Sequence, residues 1–165
     1  MPEARGRWYL WLWLSAAVTA LDLATKAWIT SLFQLGETLV VTPFFNLVLA
    51  HNSGAAFSFL ADAGGWQRWF FVAVTLLVSA VLVGMLRKHP GNRLLSTALA
   101  LVLGGAAGNL WDRALTGHVV DFIQVHAAGY YFPAFNVADS AITVGVILLL
   151  WDSFRGEPKP QKGLP

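Results

Sequence analysis

Two stretches of this chain, Trp69 to Leu86 and Leu94 to Trp111, contain no charged residue at all. At about 1.5 Å of helical rise per residue, each crosses most of a roughly 30 Å hydrocarbon core. The composition agrees: of 165 residues, 56% are hydrophobic and only 12% charged, with a mean hydropathy of +0.58. A water-soluble domain of this size rarely has such values, so the chain reads as an integral membrane protein. Two further spans are interrupted by charge at one end only. One, about 8–28, carries Asp22 and Lys26; the other, about 136–151, carries Asp139. The expectation is an all-α membrane protein with four transmembrane helices, about 8–28, 69–86, 94–111 and 136–151, in a single domain over 1–165.

Lys and Arg placement sets the expected orientation. Of the 11 basic residues, Arg5, Arg7, Arg87, Lys88, Arg93, Arg155, Lys159 and Lys162 fall on one side. Lys26, Arg68 and Arg113 fall on the other. Both termini are therefore expected in the cytoplasm, and the longer loops, about 30–66 and 113–135, outside. Trp28, Trp66, Trp69 and Trp111 suit the outer interface, and Trp8, Trp11 and Trp151 the inner one. Asp152 reads as a cytoplasmic interface residue. The first span is too long for a cleaved signal peptide and is expected to be retained. With no cysteine, the chain has no disulfide and no thiol nucleophile. The net charge of +2 calls for no nucleic acid, because topogenic basic loops explain it. The tail about 156–165, rich in Pro, Gly and Lys, reads as disordered. Between the first two spans, residues 37–60 are rich in Val, Thr and Phe and broken by Pro43 and Gly54. They read as short strands of a small extracytoplasmic β-sheet, joined by part of Leu115 to Phe135.

Polar groups converge in depth. Counted along each helix from its cytoplasmic end, Asp22 lies ~21 Å up, Asn109 ~22 Å and Asp139 ~18 Å. Asp112 and Arg113 follow Asn109 by one turn, and the loops holding Asn52, Gly54 and Asp121 enter near the same level. One polar site is expected in the outer third of the bilayer, open to the outside and sideways to lipid. Carboxylates at membrane depth usually face a cavity and serve a function. Two close acids share a proton, so one can act as base on a water while the other hydrogen-bonds a carbonyl and later protonates a leaving amine. No GxSxG elbow or HExxH motif is present, which leaves aspartyl hydrolysis as the protease option.

Blander readings compete at several positions. Asp22 and Lys26 suit a helical i,i+4 pair. Gly104, Gly105 and Gly108 suit close helix packing. Glu37 and Asp62 read as solvated loop charges. His51, His89, His118 and His126 form no convincing ligand set, so no metal and no cofactor are expected. A small proton-coupled transporter would also place acids in the membrane. It should carry polar groups near the midplane or in repeated halves, however, whereas the inner halves of these spans are almost wholly apolar. A structural subunit would explain the glycines but not an Asp dyad.

Five blocks carry a closer likeness: Asp22 to Lys26 (DLATK), Asn52 to Phe57 (NSGAAF), Gly104 to Arg113 (GGAAGNLWDR), Val119 to Phe122 (VVDF) and Phe135 to Asp139 (FNVAD). In this order on a four-span chain they closely resemble the bacterial lipoprotein signal peptidases, or signal peptidase II, aspartyl peptidase family A8. The resemblance implies an endopeptidase of the bacterial inner membrane, its active site near the periplasmic face, that cleaves prolipoproteins before a diacylglyceryl-modified cysteine. By motif match, Asp121 and Asp139 are the catalytic pair. Asn52, Gly54, Asn109, Arg113 and Asn136 match substrate-groove positions, and Asp22, Lys26 and Asp112 are supporting polar residues. Diacylglyceryl-modified prolipoprotein, membrane lipid and the inhibitor globomycin are the implied partners, with the enzyme a monomer.

Overall fold

The computed structural model describes residues 7–54 and 64–155. The expectations for Arg5, Phe57, Asp62, Lys159, Lys162 and the tail from Gly156 to Pro165 fall outside the described residues. A 3-10 turn, Trp8–Leu10, leads into α1, Trp11–Leu32. Strands β1, Thr38–Thr42, and β2, Phe45–Asn52, follow. Helices α2, Trp66–Lys88, and α3, Arg93–Leu115, form an antiparallel pair in sequence order, then β3, Val119–Ala127, β4, Tyr130–Tyr131, and α4, Val137–Arg155. The strands make one antiparallel sheet in the order β1-β2-β3-β4. Both expected strand regions thus contribute to it.

Among the described residues three helices, α2, α3 and α4, are long and apolar enough to cross a membrane. Helix α1 is of similar length, 22 residues, and carries Asp22 and Lys26 in its second half. Both charges are turned inward: Asp22 and Lys26 are buried, as is Ser15, while Thr30 and Ser31 at the helix end are exposed. Helix α3 continues past its uncharged stretch through Asp112 and Arg113 to Leu115, because apolarity marks the hydrocarbon crossing and not the end of the helix.

Helix α3 is central. More than half of its most apolar stretch is buried, against about a tenth for α2 and α4. Small residues let its neighbours approach, as is common between helices in lipid. A β-carbon at Gly105 would collide with the Ala138 carbonyl of α4 and lie 2.8 Å from Ile142 Cγ1. Further along the pair, one at Gly145 would lie 2.6 Å from Val102 and 2.8 Å from the Ala98 carbonyl. On the opposite side, α1 donates Ser15 Oγ to the Ala100 carbonyl (2.9 Å) and Thr19 Oγ1 to that of Gly104 (2.9 Å). The glycines expected to serve packing do so, and Gly108 also abuts the carboxylate of Asp22.

One apolar cluster, Leu82, Leu86, Leu99 and Val102, packs against Trp8 and Trp11. A second, Ile29, Leu49 and Phe122, joins the end of α1 to the sheet. The helix caps tie the ends together. Asn92 Oδ1 accepts from the Leu95 amide (3.0 Å) to start α3, while its Nδ2 donates to Asp152 of α4 (3.0 Å). Asp152 is thus a cross-helix acceptor as well as a charge at the helix end.

Gly105→Ala should lower stability by about 1–3 kcal/mol through overpacking against α4. Gly84→Ala, with open space around its added methyl, should be neutral or stabilising. Thermal unfolding of both variants in detergent checks this; equal melting of Gly105→Ala and parent would refute the tight α3–α4 seam.

Candidate active site

Asp121 sits on β3 and is only 3% exposed. Its Oδ1 accepts from Asn136 Nδ2 (2.7 Å) and its Oδ2 from Asn52 Nδ2 (3.2 Å). Asn52 is within reach because β2 and β3 pair antiparallel with Ala50 opposite Asp121 and Asn52 opposite Val119. Burial first, and then the negative charge of Asp139, push the Asp121 carboxyl from the ordinary 3.8 up to about 7, against the opposing effect of its two amide donors.

Asp139 stands in the first turn of α4. The helix starts with a reciprocal cap: Asn136 Oδ1 accepts from the Asp139 amide (2.9 Å), and Asp139 Oδ2 accepts from the Asn136 amide (3.2 Å). This is the geometry of a capping box, built from Asn and Asp. The other oxygen, Oδ1, accepts from Asn109 Nδ2 of α3 (2.8 Å). Asn136 is fully buried and touches both acids. Its carbonyl oxygen is committed to the cap, so its NH2 group must face Asp121, the Val120 carbonyl and Asn109.

The orientation of Asn109 has a similar origin. Lys26 Nζ of α1 donates to Asn109 Oδ1 (3.0 Å) and lies 2.7 Å from Asp22 and 2.9 Å from Asp112. An ammonium can only donate, so the Asn109 oxygen faces Lys26 and the NH2 is left for Asp139. The two supporting acids also hold backbone: Asp22 accepts from the Ala138 amide (2.8 Å) and Asp112 from the Val120 amide (3.2 Å). The Asp22–Lys26 pair is therefore a helical i,i+4 contact and part of the site scaffold at once.

A cleft of about 850 Å³ opens between the sheet and the helices, with Asn52, Asn109, Arg113, Asp121 and Asp139 on its wall. Arg113 Nη2 donates to the Gly54 carbonyl (2.8 Å), and its guanidinium lies 5.2 Å over the Phe71 ring. Gly54 contributes backbone only, its amide bonding to Asn52 Oδ1 (3.0 Å). All ten residues singled out in the sequence are thus in one connected neighbourhood. The four histidines do not come together in one place. His51 stacks on His118 (3.8 Å); burial first, and then the neighbouring His118, hold the His51 imidazole below its ordinary value. His126 contacts Asn46, and His89 contacts the Met85 carbonyl.

Sequence reasoning missed the apolar wall of the cleft, which includes Val48, Ala50, Phe132, Ile142 and Val144. Nothing in the sequence separates these from lipid-facing residues. It also missed Gln124. Strict alternation on β3 would put Ile123 beside Asp121, but Phe122 and Ile123 both donate their amides to the Phe135 carbonyl (3.0 and 2.8 Å). This bulge sends both side chains to the core cluster and turns Gln124 into the cleft.

Residues 14–155 match the family described as Peptidase_A8, Signal peptidase (SPase) II. A lipoprotein signal peptidase of Pseudomonas putida is 55% identical over 163 residues, 95% of each chain. One from Janthinobacterium sp. (strain Marseille) is 52% identical over 145 residues, 88% of each chain. In shape, a bacterial membrane enzyme solved by the in meso method superposes with a TM-score of 0.82 at 34% identity, covering 94% of each chain. Similar in sequence and in shape over most of its length, the chain belongs to the signal peptidase II family of bacterial membrane proteases.

Proposed function

We propose that this protein is an aspartyl endopeptidase of the bacterial inner membrane that removes signal peptides from prolipoproteins, cleaving before the diacylglyceryl-modified cysteine. The observation that carries the reading is the linkage of Asp121 and Asp139 through one buried amide, Asn136, at the wall of the cleft. In the proposed reaction Asp121 holds the shared proton, since burial beside Asp139 favours its neutral form near pH 7. Asp139 takes a proton from water, whose oxygen bonds to the scissile carbonyl carbon while Asp121 hydrogen-bonds the carbonyl oxygen. The tetrahedral intermediate collapses as the C–N bond breaks and the amine leaves with a proton from the acid partner. No metal and no cofactor take part in this scheme.

The remaining residues have supporting roles on this reading. Asn52, Asn109 and Asn136 orient the carboxylates. Arg113 offers a rigid cationic fork beside the cleft for substrate carbonyls, with Gly54 as its backbone anchor. Lys26, Asp22 and Asp112 hold the asparagines and the strand in place. The apolar wall suits acyl chains that remain in lipid while the peptide reaches the acids. Helix α1 is the fourth span, its charges satisfied inside the protein, and globomycin would compete for the same cleft in a monomeric enzyme.

Asp121→Asn and Asp139→Asn should each lower turnover of a lipid-modified precursor by at least about 10³-fold, with the double variant scarcely worse, because residues acting as a unit are non-additive. Activity of the parent should fall as pH rises through about 7, where Asp121 loses the proton the reaction uses. Purified variants, checked for unaltered melting, provide the measurement. Parent-like rates in either single variant would refute the aspartyl mechanism.

The orientation rests on the Lys and Arg asymmetry. In this cysteine-free chain, a cysteine placed at Tyr130 should react with an impermeant reagent applied to the periplasmic side, and one at His89 should not. The reverse labelling pattern would invert the topology.

A further inference from the structure

From the hydrogen-bond geometry of the sheet we infer that Gln124 is a substrate-positioning residue, presenting its amide N–H to a backbone carbonyl of the bound peptide some three residues from the scissile bond. The inference rests on the peptidase reading above. Asn46 of β2 lies opposite Gln124 in register and is 3% exposed. Its Nδ2 donates to Gln124 Oε1 (3.1 Å), and its Oδ1 lies 3.2 Å from His126 Nε2. The Asn46 NH2 donates to the Gln124 oxygen, and the Asn46 oxygen is matched by a donating His126 Nε2. The Gln124 NH2 has no partner among the described residues, and Gln124 lines the cleft.

Other features agree with this direction. The His126 ring is stacked on Tyr131 (4.9 Å), and its backbone amide donates to the Phe44 carbonyl (3.0 Å), so the imidazole is held beside Asn46 from two sides. The bulge at Phe122 and Ile123 is what brings Gln124 to the same face as Asp121. Along a strand the two are separated by on the order of 10 Å, the length of about three extended residues. A peptide lying along β3 with its scissile bond at Asp121 therefore passes a backbone carbonyl over Gln124. Such a contact reads the main chain and sets register, leaving side-chain preference to the apolar wall.

The test uses the purified full chain, a lipid-modified precursor and steady-state kinetics. Gln124→Met should raise KM about 3- to 10-fold, the worth of one neutral hydrogen bond, with little change in kcat. Asn46→Leu should raise KM similarly, and the double variant should equal either single, because both changes break the same relay. Gln124→Glu supplies acceptors only and should be worse than Gln124→Met. A parent-like KM in folded Gln124→Met, or a Gln124→Glu variant that outperforms it, would overturn the inference. Failure of the parent itself to cleave the precursor would instead refute the peptidase reading.

Discussion

The arrangement of this site depends on one buried cation. Lys26 is 3% exposed and finds three acceptors, Asp22, Asp112 and Asn109, for its three protons. Taking an ammonium and two carboxylates out of water is costly. The expense is offset only when geometry is good and the remaining lone pairs are used. Here they are used on backbone: the Ala138 amide at the start of α4 and the Val120 amide on β3. One ammonium thereby fixes α1, α3, β3 and α4 relative to one another. Removing it would leave two buried acids unpaired, a change that costs about 3–5 kcal/mol in comparable cases.

From that hub, orientation passes outward through amides. Asparagine is ambiguous alone, since its oxygen and nitrogen are alike in shape. It becomes directional when one end is committed to a group that can only donate. Lys26 does this for Asn109, and the Asp139 backbone amide does it for Asn136. Each carboxylate then receives N–H donors and never a facing carbonyl. This explains the choice of Asn at positions where Asp would be nearly isosteric: a further carboxylate would add like charge beside two acids that are already close.

Much of this was legible in the sequence because membrane insertion makes polar residues informative. Asp22, Lys26, Asn109 and Asp139 stand out against apolar helices, and helical rise alone put three of them at one level. The four helices and the strand-forming character of residues 37–60 followed from hydropathy, β-branched content and the Pro43 and Gly54 breaks. The parts that could not be read depend on backbone irregularity or on apolar neighbours. The bulge at Phe122 and Ile123 reverses the face of Gln124, and VVDFIQV reads as plain alternation without it. The side chains lining the cleft, such as Ile142 and Val144, have the composition of any lipid-facing stripe. The Asn92–Asp152 link joins residues far apart in sequence, which periodicity does not report.

Asp121 is carried by a strand and Asp139 by a helix, so their separation depends on how the two elements are joined. Helix α4 gives Asp139 a backbone cap, so its position follows the start of the helix and the helices packed around it. Asp121 belongs to a sheet joined to α4 through Phe135, which accepts from the Phe122 and Ile123 amides just before Asn136 begins the cap. The sheet and the helix therefore share a short covalent hinge at Phe135–Asn136, and the separation of the acids is governed by that dipeptide together with Lys26. Asp121 on β3 and Asp139 on α4 both line the cleft, so its wall is shared between sheet and helix, and the spacing of the two carboxyls depends on how the one is seated against the other.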